Sequence, residues 1–132
     1  LTKSGLSATG TVSRQKFRIS VTGKGEVTIN LYRHLSPSTL LRINKIVPFE
    51  THAVRQNWTV VMPTNVIAGK EKTRDEFKRG EIAFGLQEAA IVFFLRDMRV
   101  NRKYNILGAV EAGLDVLDNI AHSETVKVER LE

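Results

Sequence analysis

Phe17, Ile19 and Val21 alternate with Arg18, Ser20 and Thr22, the period-two pattern of a strand with one buried face. Gly23-Lys24-Gly25 makes a turn, and Val27, Ile29 and Leu31 then alternate with Glu26, Thr28 and Asn30. The two runs predict a β-hairpin with a glycine-containing connection. At Ser36-Pro37 the period changes. A serine side chain can satisfy free amide groups at a helix start, and proline at the first helical position loses no hydrogen bond. Leu40, Leu41, Ile43 and Val47 follow at roughly helical spacing, and Pro48 ends the helix.

Residues 51–62 predict one long strand closed by Pro63, with Val54, Trp58, Val60 and Met62 on one face. Residues 63–80 are polar and mixed in charge, so a solvated connection is expected. Thr73 and Glu76 stand at capping-box spacing, which suits a short helical turn within it. Residues 81–86 and 90–95 predict two more strands, and the continuous apolar run Ile91 to Leu95 suits a strand covered on both faces. A basic loop at 96–103 leads to a strand at 104–110. A short helix at 113–120 follows, with Leu114, Leu117 and Ile120 inward. The last strand, 124–131, alternates Val126 and Val128 against Lys127 and Glu129. Many strands with two helices predict a mainly β antiparallel barrel or sandwich. Closing the sheet removes exposed edges, and the helices would plug the open ends.

Residues 1–16 are rich in Ser, Thr and Gly without a sustained period. They read as a flexible N-terminal arm, with a short strand at 10–13, leaving 17–132 as one domain. The arm lacks the apolar stretch and cleavage signature of a secretory signal. At 132 residues the chain has the length of a single domain with a real core. No apolar run approaches the ~20 residues that span a bilayer. The absence of cysteine excludes disulfides, thiolate nucleophiles, zinc fingers and iron–sulfur sites, and points to a cytoplasmic protein.

The net charge is +6 but unevenly distributed. Residues 1–45 hold eight Lys or Arg and a single acid, Glu26, whereas the rest hold 12 basic and 13 acidic residues. A basic region is the footprint of a polyanion partner. The tightest cluster is Arg96, Arg99, Arg102 and Lys103. Aromatic residues, at 7%, are too few and too separate from these cations for a base-stacking surface, so solubility is the favoured role of the charge.

The histidines, His34, His52 and His122, show no paired spacing for a metal, and no cofactor is expected. No glycine-rich phosphate loop and no nucleophile elbow is present. Asp115 and Asp118 are neighbours on the second helix, where solvation is their ordinary role. Arg55 stands out. It lies mid-strand among Val54, Trp58 and Val60, and a guanidinium there must reach water, a carboxylate or a ligand. A solvent-facing arginine is the simpler alternative.

The second half carries a resemblance. Ile91-Val92-Phe93-Phe94-Leu95 is followed, after a loop, by Tyr104-Asn105-Ile106-Leu107-Gly108-Ala109-Val110-Glu111-Ala112-Gly113-Leu114. A strand with two consecutive Phe, a Gly-x-Val step, Glu-x-Gly and a short helix resemble the cyclophilin pattern. Gly80 to Phe84 resembles the preceding strand, and the hairpin and the helix at Ser36-Pro37 fit as well. Pro48-Phe49-Glu50 and Trp58 are similar to features of the small cyclophilin-like proteins of archaea and bacteria, which have no established activity. The resemblance covers about residues 17–131 and implies a closed eight-stranded barrel capped by two short helices.

It also implies roles. In cyclophilins an arginine on the strand after the first helix hydrogen-bonds the prolyl nitrogen as amide resonance is lost, and an apolar pocket holds the proline ring. Arg55 matches that arginine, Phe94 the pocket floor, and Tyr104 falls where cyclophilins usually have His. Here Arg55 lacks a preceding Phe-His, a Gln-Gly-Gly stretch is absent, Val60 replaces an aromatic, and Gly85-Leu86-Gln87-Glu88 replaces the Ala-Asn stretch. The expectation is therefore a non-catalytic barrel that binds a peptide or small molecule in a groove lined by Arg55, Val60, Met62, Phe94 and Tyr104. The alternatives are a weak prolyl cis–trans isomerase using Arg55, and nucleic-acid binding through the basic surface.

Overall fold

A computed structural model describes residues 13–131. The elements are β1 (Arg14–Val21), β2 (Gly25–Tyr32), α1 (Pro37–Ile46), β3 (Phe49–Gln56), β4 (Thr59–Pro63) and β5 (Thr73–Phe77), followed by β6 (Glu81–Gly85), β7 (Ala90–Phe94), β8 (Met98–Ala112), α2 (Leu114–Asp118) and β9 (Ser123–Arg130). The strands pair antiparallel in the order β2-β1-β9-β3-β4-β7-β6-β8-β5, and β2 also pairs with β8. That last pairing closes eight strands into a barrel and leaves β5 as one extra strand on β8. The mainly β, closed eight-stranded architecture expected from sequence is thus present. Most of the expected arm, and nearly all of the expected strand at 10–13, lies outside the described residues. No helix among the described residues is long and apolar enough to cross a membrane.

Alternation explains the wall. Phe17, Ile19 and Val21 of β1 and Val27, Ile29 and Leu31 of β2 all point into one interior cluster with Val126 and Val128 of β9. Leu40 and Ile43 of α1 enter this cluster, as do Leu117 of α2 and Ile120 just after it. Because β2 and β8 run antiparallel, the helix after β2 and the helix after β8 close opposite ends.

Closure depends on Gly108. It sits opposite Leu31, and a Cβ there would lie 1.9 Å from the Asn30 carbonyl oxygen. The backbones meet too closely for any side chain at this position.

Several elements differ from the sequence reading. The expected strand 51–62 is a hairpin, turning at Asn57-Trp58 with Gln56 opposite Thr59. Asn57 has φ +56°, a conformation asparagine tolerates well. The expected solvated connection contains β5 rather than a helical turn. The expected basic loop 96–103 is largely the first half of β8, and that half pairs with β5. β5 escaped notice because only Phe77 of its side chains needs burial; an extra strand outside the barrel has no interior face to advertise.

The first helix is capped from a distance. Ser36 is buried, but its hydroxyl donates to the Ile106 carbonyl at 2.8 Å instead of capping the helix. The Glu71 carboxylate does that work, accepting from the backbone N–H of Ser38 (2.9 Å) and Thr39 (2.7 Å) and from the Thr39 hydroxyl. Asn105, fully buried, bonds Thr39, Gly69 and the Glu71 amide, tying the connection to β8. Burial opposes the Glu71 charge. The Thr39 hydroxyl, the two amides and nearby Arg42 outweigh it and hold the carboxyl below its ordinary value.

Two outcomes follow for stability. Gly108→Ala should lower it by about 3 kcal/mol, the upper end for overpacking, read from urea denaturation; Gly69→Ala, whose Cβ would meet nothing within 4 Å, should change little. A depressed carboxyl stabilises above its unfolded pKa, here 4.5, and loses that contribution as pH falls through the lower folded value. The stability gap between the parent and Glu71→Gln should therefore be full near about pH 6 and close below 4.5.

Candidate functional site

The pleat divides the expected groove. Arg55 lies directly opposite Val60 in the β3–β4 ladder, so both face the same way. Val60 and Met62 are fully buried in the interior cluster. Phe94 and Tyr104 belong to a second cluster, with Val61, Ala83, Val92 and Ile106, on the outer face of the same strands. Side chains on opposite faces of one sheet cannot line one groove.

Arg55 is engaged at the barrel end. Its Nε donates to the Asn57 carbonyl at 2.6 Å, and Nη1 donates to the carbonyls of Asp118 (3.0 Å) and Ile120 (2.9 Å). Its backbone N–H donates to the His122 carbonyl at 2.7 Å. A cation at the carbonyl end of a helix is well placed electrostatically. Arg79 adds a bidentate pair to the Asp118 carboxylate, at 3.0 and 2.6 Å, and a bond to the Leu95 carbonyl. The Arg79 hydrogen bond, against the cost of burial and with the charges of Arg79 and Arg55, holds the Asp118 carboxyl low. The outer edge of this corner carries Trp58, 44% exposed, with the guanidinium of Arg96 4.9 Å from its ring centre.

The outer cluster is filled from within. Phe77 of β5 stacks on Phe94 with ring centres 4.3 Å apart and planes 6° from parallel. Tyr104 tilts against both rings, and its hydroxyl donates to Glu88 at 2.7 Å. Burial first, then the bond to Glu88 and its charge, push this phenol up to about 12, so it stays a neutral donor.

Open space flanks β5 instead. One cavity of about 520 Å³ has Phe77 and Met98 among its apolar lining, with Arg74, Lys78 and Arg99 facing Glu76, Glu81 and Asp97. A second, of about 260 Å³, has Tyr32, Leu35 and Ile106 together with Gly108 and Ala109. Arg74 and Glu81 line both, and their 2.9 Å ion pair stands between the chambers. Both partners are partly exposed, and such pairs contribute only about 0–1 kcal/mol. A ligand carboxylate can therefore replace Glu81 on Arg74 at little cost. Sequence reasoning missed Arg74, Phe77 and Met98 because they stand on β5 and the first half of β8, where charge obscured the strands.

The basic first third is less basic in space than along the chain. Lys16 pairs with Glu111, Arg18 with Glu129, and Lys24 with Glu124. Arg99 pairs with Asp75 and Glu76, and Arg102 with Glu88. No group of three or more His, Asp or Glu able to hold a metal occurs among the described residues.

These features define a closed antiparallel barrel with a mixed-charge cleft on its outer face. No protein-family model and no curated protein sequence matches the chain. Among solved structures it is similar to the hypothetical protein AF2241 from Archaeoglobus fulgidus, with 24% identity, a TM-score of 0.76, and coverage of 90% of this chain and 96% of that one. It is also similar to McbB, solved in complex with tryptophan, with 12% identity, a TM-score of 0.72, and coverage of 86% of this chain and 44% of that one. Both likenesses show the shared fold, and the chain spans less than half of McbB.

Arg55→Ala should lower stability by about 2 kcal/mol, because carbonyls at the end of α2 lose a charged donor. Arg55→Lys should recover only part of this, since an ammonium does not reproduce the guanidinium's spread of donors. Denaturant midpoints of the three proteins check both statements.

Proposed function

We propose that this chain is a binding barrel of the cyclophilin-like type, without isomerase catalysis, whose site is the two-chamber cleft beside β5. The observation that carries this reading is the larger chamber, where both signs of charge surround an apolar lining of Phe77 and Met98. Apolar surface with a few convergent polar groups is the usual make-up of a small-molecule site. Facing cations and carboxylates suit an amphoteric ligand: an amino acid or a short peptide, its carboxylate on Arg74 and its ammonium on Glu81 or Asp97. McbB, of which the match spans 44%, was solved in complex with tryptophan, which makes an amino acid the first ligand to test.

The isomerase alternative draws less support. Arg55 already donates to carbonyl oxygens, and Phe77 occupies the face of Phe94. The nucleic-acid alternative is weakened by the ion pairs that neutralise much of the basic first third.

An amide-resolved NMR titration with L-tryptophan, the other amino acids and a panel of short peptides, some containing Xaa-Pro, tests the reading. Shifts should centre on Phe77, Met98, Arg99 and Ala109, and Arg74→Ala should weaken binding at least tenfold. No shifts across the panel, or shifts centred on Arg55, would sink it. A parallel protease-free isomerisation assay should show no acceleration; catalysis abolished in folded Arg55→Lys would establish the enzyme instead.

A further inference from the structure

We infer that the exposed face of α1 is a docking surface for an acidic, apolar segment of a partner protein. It is separate from the cleft beside β5. Two grooves flank Leu41, which lines both. One, of about 400 Å³, runs between α1 and the connection at 65–67; the other, of about 310 Å³, lies toward β1 and β2. Leu41 and Ile67 are 57% and 79% exposed, the two most exposed of the large hydrophobic residues among those described. Exposed aliphatics gathered at a concave, polar-rimmed surface mark an interaction site.

Charge identifies the partner. Arg42 and Lys45 line the first groove and Arg33 the second, and among the described residues no carboxylate lines either. The cleft beside β5, by contrast, balances its cations with carboxylates. Glu71 spends its hydrogen bonds on the start of α1, and although it feels the Arg42 charge, it makes no direct ion pair with Arg42 among the described residues. Residues 1–12 contain Lys3 and no acid, so they do not supply the complement. A second copy is disfavoured by the net charge of +6. The occupant is therefore a peptide segment with carboxylates for Arg33, Arg42 and Lys45 and aliphatic or aromatic side chains for the grooves beside Leu41. A concave surface favours such a segment over a flat lipid surface.

The test is selection from a displayed library of random twelve-residue peptides on the intact protein, then measurement of the selected peptides by fluorescence anisotropy. Peptides enriched in Asp and Glu together with Leu, Ile, Phe or Trp are expected. Their binding should weaken at least tenfold in Arg42→Glu/Lys45→Glu, weaken with added salt, and weaken separately in Ile67→Ser. Each variant alters only exposed side chains, and an unchanged NMR spectrum elsewhere confirms its fold. Selection of peptides without acidic enrichment, equal binding to the charge-reversed variant, or no selection would overturn the inference. So would retention on phosphatidylserine vesicles, lost in the charge-reversed variant, with no peptide binding at this face.

Discussion

The structure depends on the contact between β2 and β8. Gly108 passes the Asn30 carbonyl so closely that the two strands can pair only with no side chain between them. Without that pairing the sheet would be open, and the interior cluster from Phe17 to Val128 would have one unsealed side. With it, every wall strand has a neighbour on both sides, and the only remaining openings are the ends. The helices fill these with Leu40 and Ile43 at one and Leu117 at the other. The polar bonds at both helices follow from this placement. Glu71 holds the start of α1, and Arg55 and Arg79 hold the end of α2.

Closure also frees the first half of β8. Its later residues, from Asn105, pair with β6 and then β2, whereas Met98 to Tyr104 reach beyond the wall and, with Asn105, carry β5. β5 lays Phe77 over Phe94. The outer face of the barrel thus keeps an apolar cluster but hides it, and the usable space moves to either side of β5. There the lining is apolar and the rim is charged, and the rim rests on an ion pair too weak to keep a charged ligand out.

Much of the wall was legible because its residues obey a simple alternation. β1, β2 and β9 each place apolar side chains at every second position, and β7 reads as a continuous apolar run because both its faces are covered. The β3–β4 turn was less legible. Val54, Trp58, Val60 and Met62 keep even spacing through it, and the single local sign was Asn57, a residue suited to positive φ. The candidate site was least legible. Arg55 and Phe94 stood out in the sequence, yet their faces depend on which strands pair and in what register.

The sequence by itself determined that the chain is mainly β with two short helices, an antiparallel barrel or sandwich, because periodicity and turn residues act over a few neighbouring positions. Only the tertiary structure decided what the charges and aromatic rings do. The cations of the first third meet carboxylates more than 80 residues away, as in Lys16 with Glu111 (|i−j| = 95) and Arg18 with Glu129 (|i−j| = 111). Arg55 meets the end of a helix 63 residues on, and Phe77 covers Phe94 from a strand with no apolar pattern of its own. Such contacts arise from strand order and closure, and these are set by packing the whole chain around one interior.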